Sequence, residues 1–171
     1  MAFVVETGAG LSNANSYLSV ADADSYHTDH SGSTDWSGAS EADKQKALRL
    51  ATQYLDITYH GRWRGVRCLS TQVLAWPRIG AVDDDEYLID EDALPQQLED
   101  ACAELALKVI EGDTLIEDFD APGTVKAEKV KIGPIEESKE YMGGNSPVKK
   151  YTTVERLIRS LIESSDTVSR G

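Results

Sequence analysis

The sequence predicts a mainly α fold: a small helical bundle with a projecting β-hairpin or arm, and a C-terminal helix on a hinge. Three observations predict it. Two long stretches, opening near Ser40 and near Leu94, repeat apolar residues at intervals of three and four, the period of one buried helix face. Residues 124–141 instead alternate polar and apolar around Gly133-Pro134, as two paired strands do. A Gly/Asn/Ser/Pro-rich stretch, MGGNSPVKK, then separates that piece from a last apolar stripe.

Element by element, the first 18 residues are rich in Gly, Asn and Ser and read as an extended segment or loop. Ser19 caps a short helix, SVADADSYHT, with Asp22 placed to complete a capping box. HSGSTDWSGAS reads as a loop. Ser40, with Asp43 three residues on, opens a long helix whose buried face is Ala47, Leu50, Ala51, Tyr54, Leu55 and Thr58, and Gly61 ends it. Residues 71–93 read as irregular connection. Leu94-Pro95 starts the second long helix, with the proline in its first turn and a stripe of Leu98, Ala101, Cys102, Leu105, Ala106, Val109 and Ile110. Thr152 and Glu155 are placed to cap a last helix with the stripe Val154, Leu157, Ile158, Leu161 and Ile162. Three regions result: residues 1–120 as the helical domain with its extended N-terminal segment, 121–142 as the arm, and 143–171 as hinge, terminal helix and tail.

Composition narrows the function classes. The chain has 171 residues, enough for a real core, and no apolar run long enough to cross a bilayer. MAFVVETGAG lacks the basic and apolar regions of a signal peptide. Cys68 and Cys102 make no disulfide framework, so synthesis in a reducing cytoplasm is expected. Thirty acids against 17 bases give a net charge of −13, and residues 79–120 alone carry fifteen acids and one base. Nucleic-acid-binding domains usually carry the opposite balance.

Catalytic signatures are scarce, and no enzyme activity, metal or cofactor is expected. His27 and His30 lie one helical turn apart, but two histidines do not close a metal site. The acidic run from Asp83 to Asp92 has Leu88 where a calcium loop needs glycine. GAG at Gly8 lacks the strand–turn–helix frame of a dinucleotide site.

What stands out is YHGRWRGVR, from Tyr59 to Arg67, followed by AWPR ending at Arg78. Two readings fit it. As a nucleic-acid site, Arg62, Arg64, Arg67 and Arg78 hold phosphates while Trp63 and Trp76 stack on bases. As structure, the tryptophans fill the core. The arginines then pair with acids on the 94–111 helix or on a neighbouring copy, with Arg62, Trp63 and Arg64 at a subunit interface. The charge of the rest of the chain favours the second.

VVETGAGLSNANSYLSVADADSY, ATQYLDITYHGRWRGVR, TQVLAWPRIGAVD and LPQQLEDACAELALKV, in this order, resemble a family of small tailed-phage proteins described as DnaT-like single-stranded-DNA-binding proteins. The chain also resembles phage head–tail adaptor, or head-completion, proteins. That resemblance implies a virion protein at the head–tail interface, forming a dodecameric ring between the portal protein and the tail or stopper proteins. Genomic double-stranded DNA would pass its acidic lumen without specific binding. It further implies portal docking by Val154, Leu157, Ile158, Leu161 and Ile162, and subunit packing by the hairpin at Gly133 and Pro134. The alternative, which the DnaT-like resemblance implies, is a single-stranded-DNA-binding replication accessory protein, with Arg62, Trp63, Arg64, Arg67, Trp76 and Arg78 of the basic-aromatic stretch as its DNA contacts.

Overall fold

The computed structural model describes residues 2–116, 128–132, 135–139 and 149–163. Helices dominate. In chain order they are α1 (Val20–His30), α2 (Thr34–Gly38), α3 (Glu41–Thr58), α4 (Gln96–Ile110) and α5 (Thr152–Leu157), the last followed by a 3-10 turn at Arg159–Leu161. Strands β1 (Val66–Arg67) and β2 (Arg78–Ile79) form one antiparallel pair, and β3 (Glu128–Ile132) and β4 (Ile135–Lys139) another. Among the described residues no helix is long and apolar enough to cross a membrane. Two compact units divide the chain: residues 1–115 with 150–171, and residues 116–149.

The first unit is built on α3 packed against α4. Ala47, Ala51, Ala101 and Ala106 keep the facing surfaces small, and Leu48, Tyr54, Leu55, Leu98 and Leu105 fill the space between. Leu48 lies deeper than the expected Leu50, which is only partly covered. The sequence-predicted caps form: Ser19 Oγ accepts the Asp22 N–H at 3.1 Å, and Ser40 Oγ accepts that of Asp43 at 3.2 Å. Pro95 stands one place earlier than expected, as the N-cap of α4. Gly112 sits just past that helix at φ +97°, a conformation glycine adopts without strain.

Three expectations are corrected. The stretch read as a loop at 30–40 contains α2, because Trp36 at its centre is driven inward. Its indole N–H donates to Asp24 Oδ1 at 2.8 Å, beside His27 and Lys44. Residues 78–79, within the stretch read as irregular connection, pair as β2 with residues 66–67 as β1; two-residue strands leave no periodic trace. And α5 begins at Thr152, with Tyr151 in the cap position and no side-chain cap. The antiparallel hairpin expected around residues 133–134 is present, pairing Glu128 with Lys139 and Ile132 with Ile135. The hinge expected at 143–148 and the tail at 164–171 lie outside the described residues.

Residues 150–163 close the core of the first unit. Val154, Ile158, Leu161 and Ile162 are buried there, and Leu157 packs against them. The stripe assigned to portal docking is therefore spent inside its own chain. Two main-chain hydrogen bonds fasten it to the basic stretch, Arg64 N–H to Leu161 O at 3.0 Å and Glu163 N–H to Arg62 O at 2.7 Å, and together they make Trp63 and Ile162 an antiparallel bridge.

Candidate functional site

YHGRWRGVR starts where α3 stops. Gly61 turns the chain at φ +75°, and Gly65 at φ +71° lies so close to β2 that an added Cβ would meet Ile79 O at 2.5 Å. Between these glycines Trp63 turns inward. Trp63 and Trp76 are 4 % and 0 % exposed, their rings edge to face at 6.0 Å, with Tyr59 beside Trp63 at 5.6 Å. Neither tryptophan offers a face to a base.

Two of the four arginines are equally committed. Arg78 donates to the carbonyls of Arg64 (2.7 Å), Gly65 (2.6 Å), Ala75 (3.0 Å) and Trp63 (3.4 Å), clamping the turn that carries its own motif. Desolvation lowers its pKa, and Arg67, its cross-strand neighbour, adds like-charge repulsion. Arg64 donates to Val82 O at 3.0 Å, Asp83 O at 2.8 Å and Asp84 Oδ1 at 2.9 Å. Its acid thus lies at the root of the acidic loop, not on the 94–111 helix as expected. Arg62 stacks over Tyr59 and Arg67 donates one N–H to Gln72 O, leaving most of their donors for other partners. Of the six residues expected at a nucleic-acid site, Trp63, Trp76, Arg64 and Arg78 are structural. Gly133 and Pro134, expected at a subunit interface, lie outside the described residues.

The structure adds a surface that the motif alone does not reveal. Residues 41–80 hold seven bases and only three acids. Along α3, Lys46, Arg49, Gln53 and Ile57 fall on one face, and His60 continues it past the helix end. Arg49 lies over the Phe3 ring at 5.8 Å. This face leads into a groove of about 850 Å³ lined by Ile57, His60, Val66, Arg67, Val73 and Asp56, among others. Among the described residues, Lys46, Arg49 and Arg67 have no acidic partner; the three ion pairs use Lys44, Arg64 and Lys108. Spread over 22 positions, these cations form no visible cluster in the sequence, and a search for basic residues at helical spacing is the signal that finds them.

Asp56 sits in that groove but faces inward. Its Oδ1 accepts the Tyr17 hydroxyl, its Oδ2 accepts the Ala75 N–H at 3.0 Å, and the Tyr17 oxygen accepts the Trp76 N–H at 3.2 Å. Burial pushes its pKa up to about 6, against the pull of Tyr17, Ala75, Arg78 and His60. A carboxyl that holds its proton more tightly folded than unfolded makes the folded state bind more protons between pH 3.8 and about 6. Its contribution to stability is greatest below that window and is lost as pH rises through it. Asp56→Asn is therefore expected to gain about 1 to 3 kcal/mol relative to the parent as pH rises across the window, measured by urea unfolding of both proteins. A pH-independent difference would show that folding does not shift the pKa of this carboxyl.

Elsewhere the polar groups serve the fold. His27 is buried with Nε2 at 3.2 Å from Ala103 O and Nδ1 at 3.2 Å from Ser31 Oγ, and His30 stacks on Tyr26 at 4.3 Å. Among the described residues no three potential metal ligands cluster. The Glu6 carboxylate, unnoticed in the sequence, accepts four main-chain N–H groups, those of Thr7, Gly8 and Gly10 on Oε1 and Leu11 on Oε2.

No curated protein and no solved structure matches this chain. One family model, described as "Putative DnaT-like ssDNA binding protein", matches it over residues 1–171, and the chain belongs to that family.

Proposed function

We propose that this protein binds single-stranded DNA along the cationic face of α3, with phosphates on Lys46, Arg49 and Arg67, and His60 between them. The observation that carries the proposal is the sorting of charge: seven bases and three acids in residues 41–80 of a chain whose net charge is −13. Family membership supports this reading more directly than the adaptor reading. The buried tryptophans change its mechanism. The strand is followed through its phosphates, with Phe3 and Ile57 as the nearby non-polar surfaces, not by stacking on Trp63 and Trp76. Lys46 and His60 lie about 21 Å apart at 1.5 Å rise per residue, so the contact is short. Such binding is weak and only shallowly salt-dependent, because few phosphates are neutralised, and the net negative charge of the rest of the protein opposes it. Lys46→Glu/Arg49→Glu, two changes on an accessible helix face, are expected to lower affinity for a labelled oligonucleotide at least tenfold with the melting temperature unchanged. Equal affinity would place the contact elsewhere.

A second reading is a structural virion subunit, in its finest form the ring-forming head–tail adaptor. The exposed apolar residues Val66, Leu69, Val73 and Ile79 favour it, as surfaces suited to protein contact. Portal docking then uses a surface other than the Val154–Ile162 stripe. Electron microscopy of virions decides it: a ring of this protein under the portal supports the adaptor, and its absence removes it.

A further inference from the structure

Opposite in charge to the groove is the loop that Arg64 anchors. Residues 83–92 contain seven acids and no base. At its tip Tyr87 and Leu88 are 73 % and 76 % exposed, more than any other large apolar residue described. The loop is built to hold them there. Asp83 Oδ1 accepts the N–H groups of Asp85 and Tyr87, both at 2.9 Å, and Asp83 N–H donates to Tyr87 O at 2.9 Å. Val82 and Leu88 form an antiparallel bridge, and Ile89 N–H donates to Ala81 O at 2.9 Å. Glu86 takes φ +66°, a left-handed conformation that costs a non-glycine residue free energy and persists only where neighbours impose it. An ordered turn thus presents one aromatic and one aliphatic side chain among carboxylates. Among the described residues nothing covers them.

We propose that Tyr87 and Leu88 of one copy insert into the groove between α3 and the β1–β2 pair of a second copy. The chemistry matches at both levels. Ile57, Val66 and Val73, each more than half exposed, give the groove an apolar floor for the tip. Arg67 and His60 at its wall meet Asp85, Glu86 and Asp90 around it. Asp56, the only acid among the lining residues, is already bonded to Tyr17 and the Ala75 N–H and does not oppose them. Knob and groove are different patches, so the contact is heterologous: each copy keeps one free knob and one free groove, and copies add head to tail into a ring or filament. Lys46 lies about 16 Å up α3 from Ile57 and stays open, so the contact and the DNA face overlap at Ile57, His60 and Arg67 but not at Lys46 and Arg49. The inference goes beyond DNA binding, and its test contains no DNA, so either can fail alone.

The test is sedimentation of the full chain, at low and high salt, over a concentration series reaching the millimolar range. The parent is expected to associate, more strongly at low salt. A knob variant, Tyr87→Ser/Leu88→Ser, and a groove variant, Ile57→Asp/Val73→Asp, are each expected to weaken association at least tenfold while melting like the parent. Mixed one to one, they are expected to form a dimer and nothing larger, because the knob variant's intact groove takes the groove variant's intact knob. A parent that stays monomeric throughout, variants that associate like the parent, or a mixture that remains monomeric would each overturn the proposal.

Discussion

Trp76→Ala is expected to destabilise the protein by about 3 to 5 kcal/mol in urea unfolding, a large fraction of the roughly 5 to 15 kcal/mol that holds a domain folded. The ring is fully buried, edge to face with Trp63. Removing it leaves a cavity in the core beside Trp63. Its indole N–H has no hydrogen-bond partner among the described residues, so the loss is one of packing. Trp76→Phe keeps most of the apolar volume and removes an unsatisfied donor, and is expected to cost no more than about half as much. A loss under about 1 kcal/mol on truncation to alanine would mean the ring is accessible, and base stacking by YHGRWRGVR and AWPR would return as a reading.

Glu6→Ala is expected to cost about 3 kcal/mol or more. The carboxylate is 2 % exposed and closes the loop of residues 6–11 by accepting four N–H groups at 2.8 to 3.1 Å. Without it these donors are left buried or the loop opens to water, at about 1 to 3 kcal/mol for each one orphaned. Relief by rearrangement is blocked on one side, where a Cβ on Gly8 would lie 2.0 Å from Asp92 O. Glu6→Gln is the sharper probe. Its amide NH2 cannot accept, so it forfeits the Leu11 bond in one orientation and three bonds in the other. Stability between parent and the alanine variant, with faster amide exchange at residues 7–11, is the expected outcome. A glutamine variant as stable as the parent would show that the carboxylate is not what holds the loop.

The helices were legible because periodicity and capping are local. Ser19, Ser40 and the stripes of α3 and α4 needed no knowledge of what they pack against. What escaped was non-local. Trp36 forms α2 only because Asp24, His27 and Lys44 wait for it, and β1 and β2 exist because Arg78 clamps the turn around Gly65. The basic-aromatic stretch was half legible: internal use of Trp63 and Trp76 follows from the acidic background, but Asp84 as Arg64's partner does not. The C-terminal stripe read correctly as one apolar face and wrongly as an open one, since a sequence pattern shows that a face must be covered and not by what. The cationic face on α3 was hidden for the same reason, its members being neighbours only once the helix is formed and His60 and Arg67 are folded back beside it.

The most direct test of DNA binding by this face is anisotropy of a labelled single strand titrated with the parent and with Lys46→Glu/Arg49→Glu, between about 50 and 200 mM salt. The account predicts saturable binding by the parent whose log–log salt slope is about −2, from three phosphate contacts at roughly 0.7 each. The variant's slope is expected to shrink toward zero along with its affinity. Binding with the same affinity and slope in both proteins, or none by the parent at the lowest salt, would contradict it.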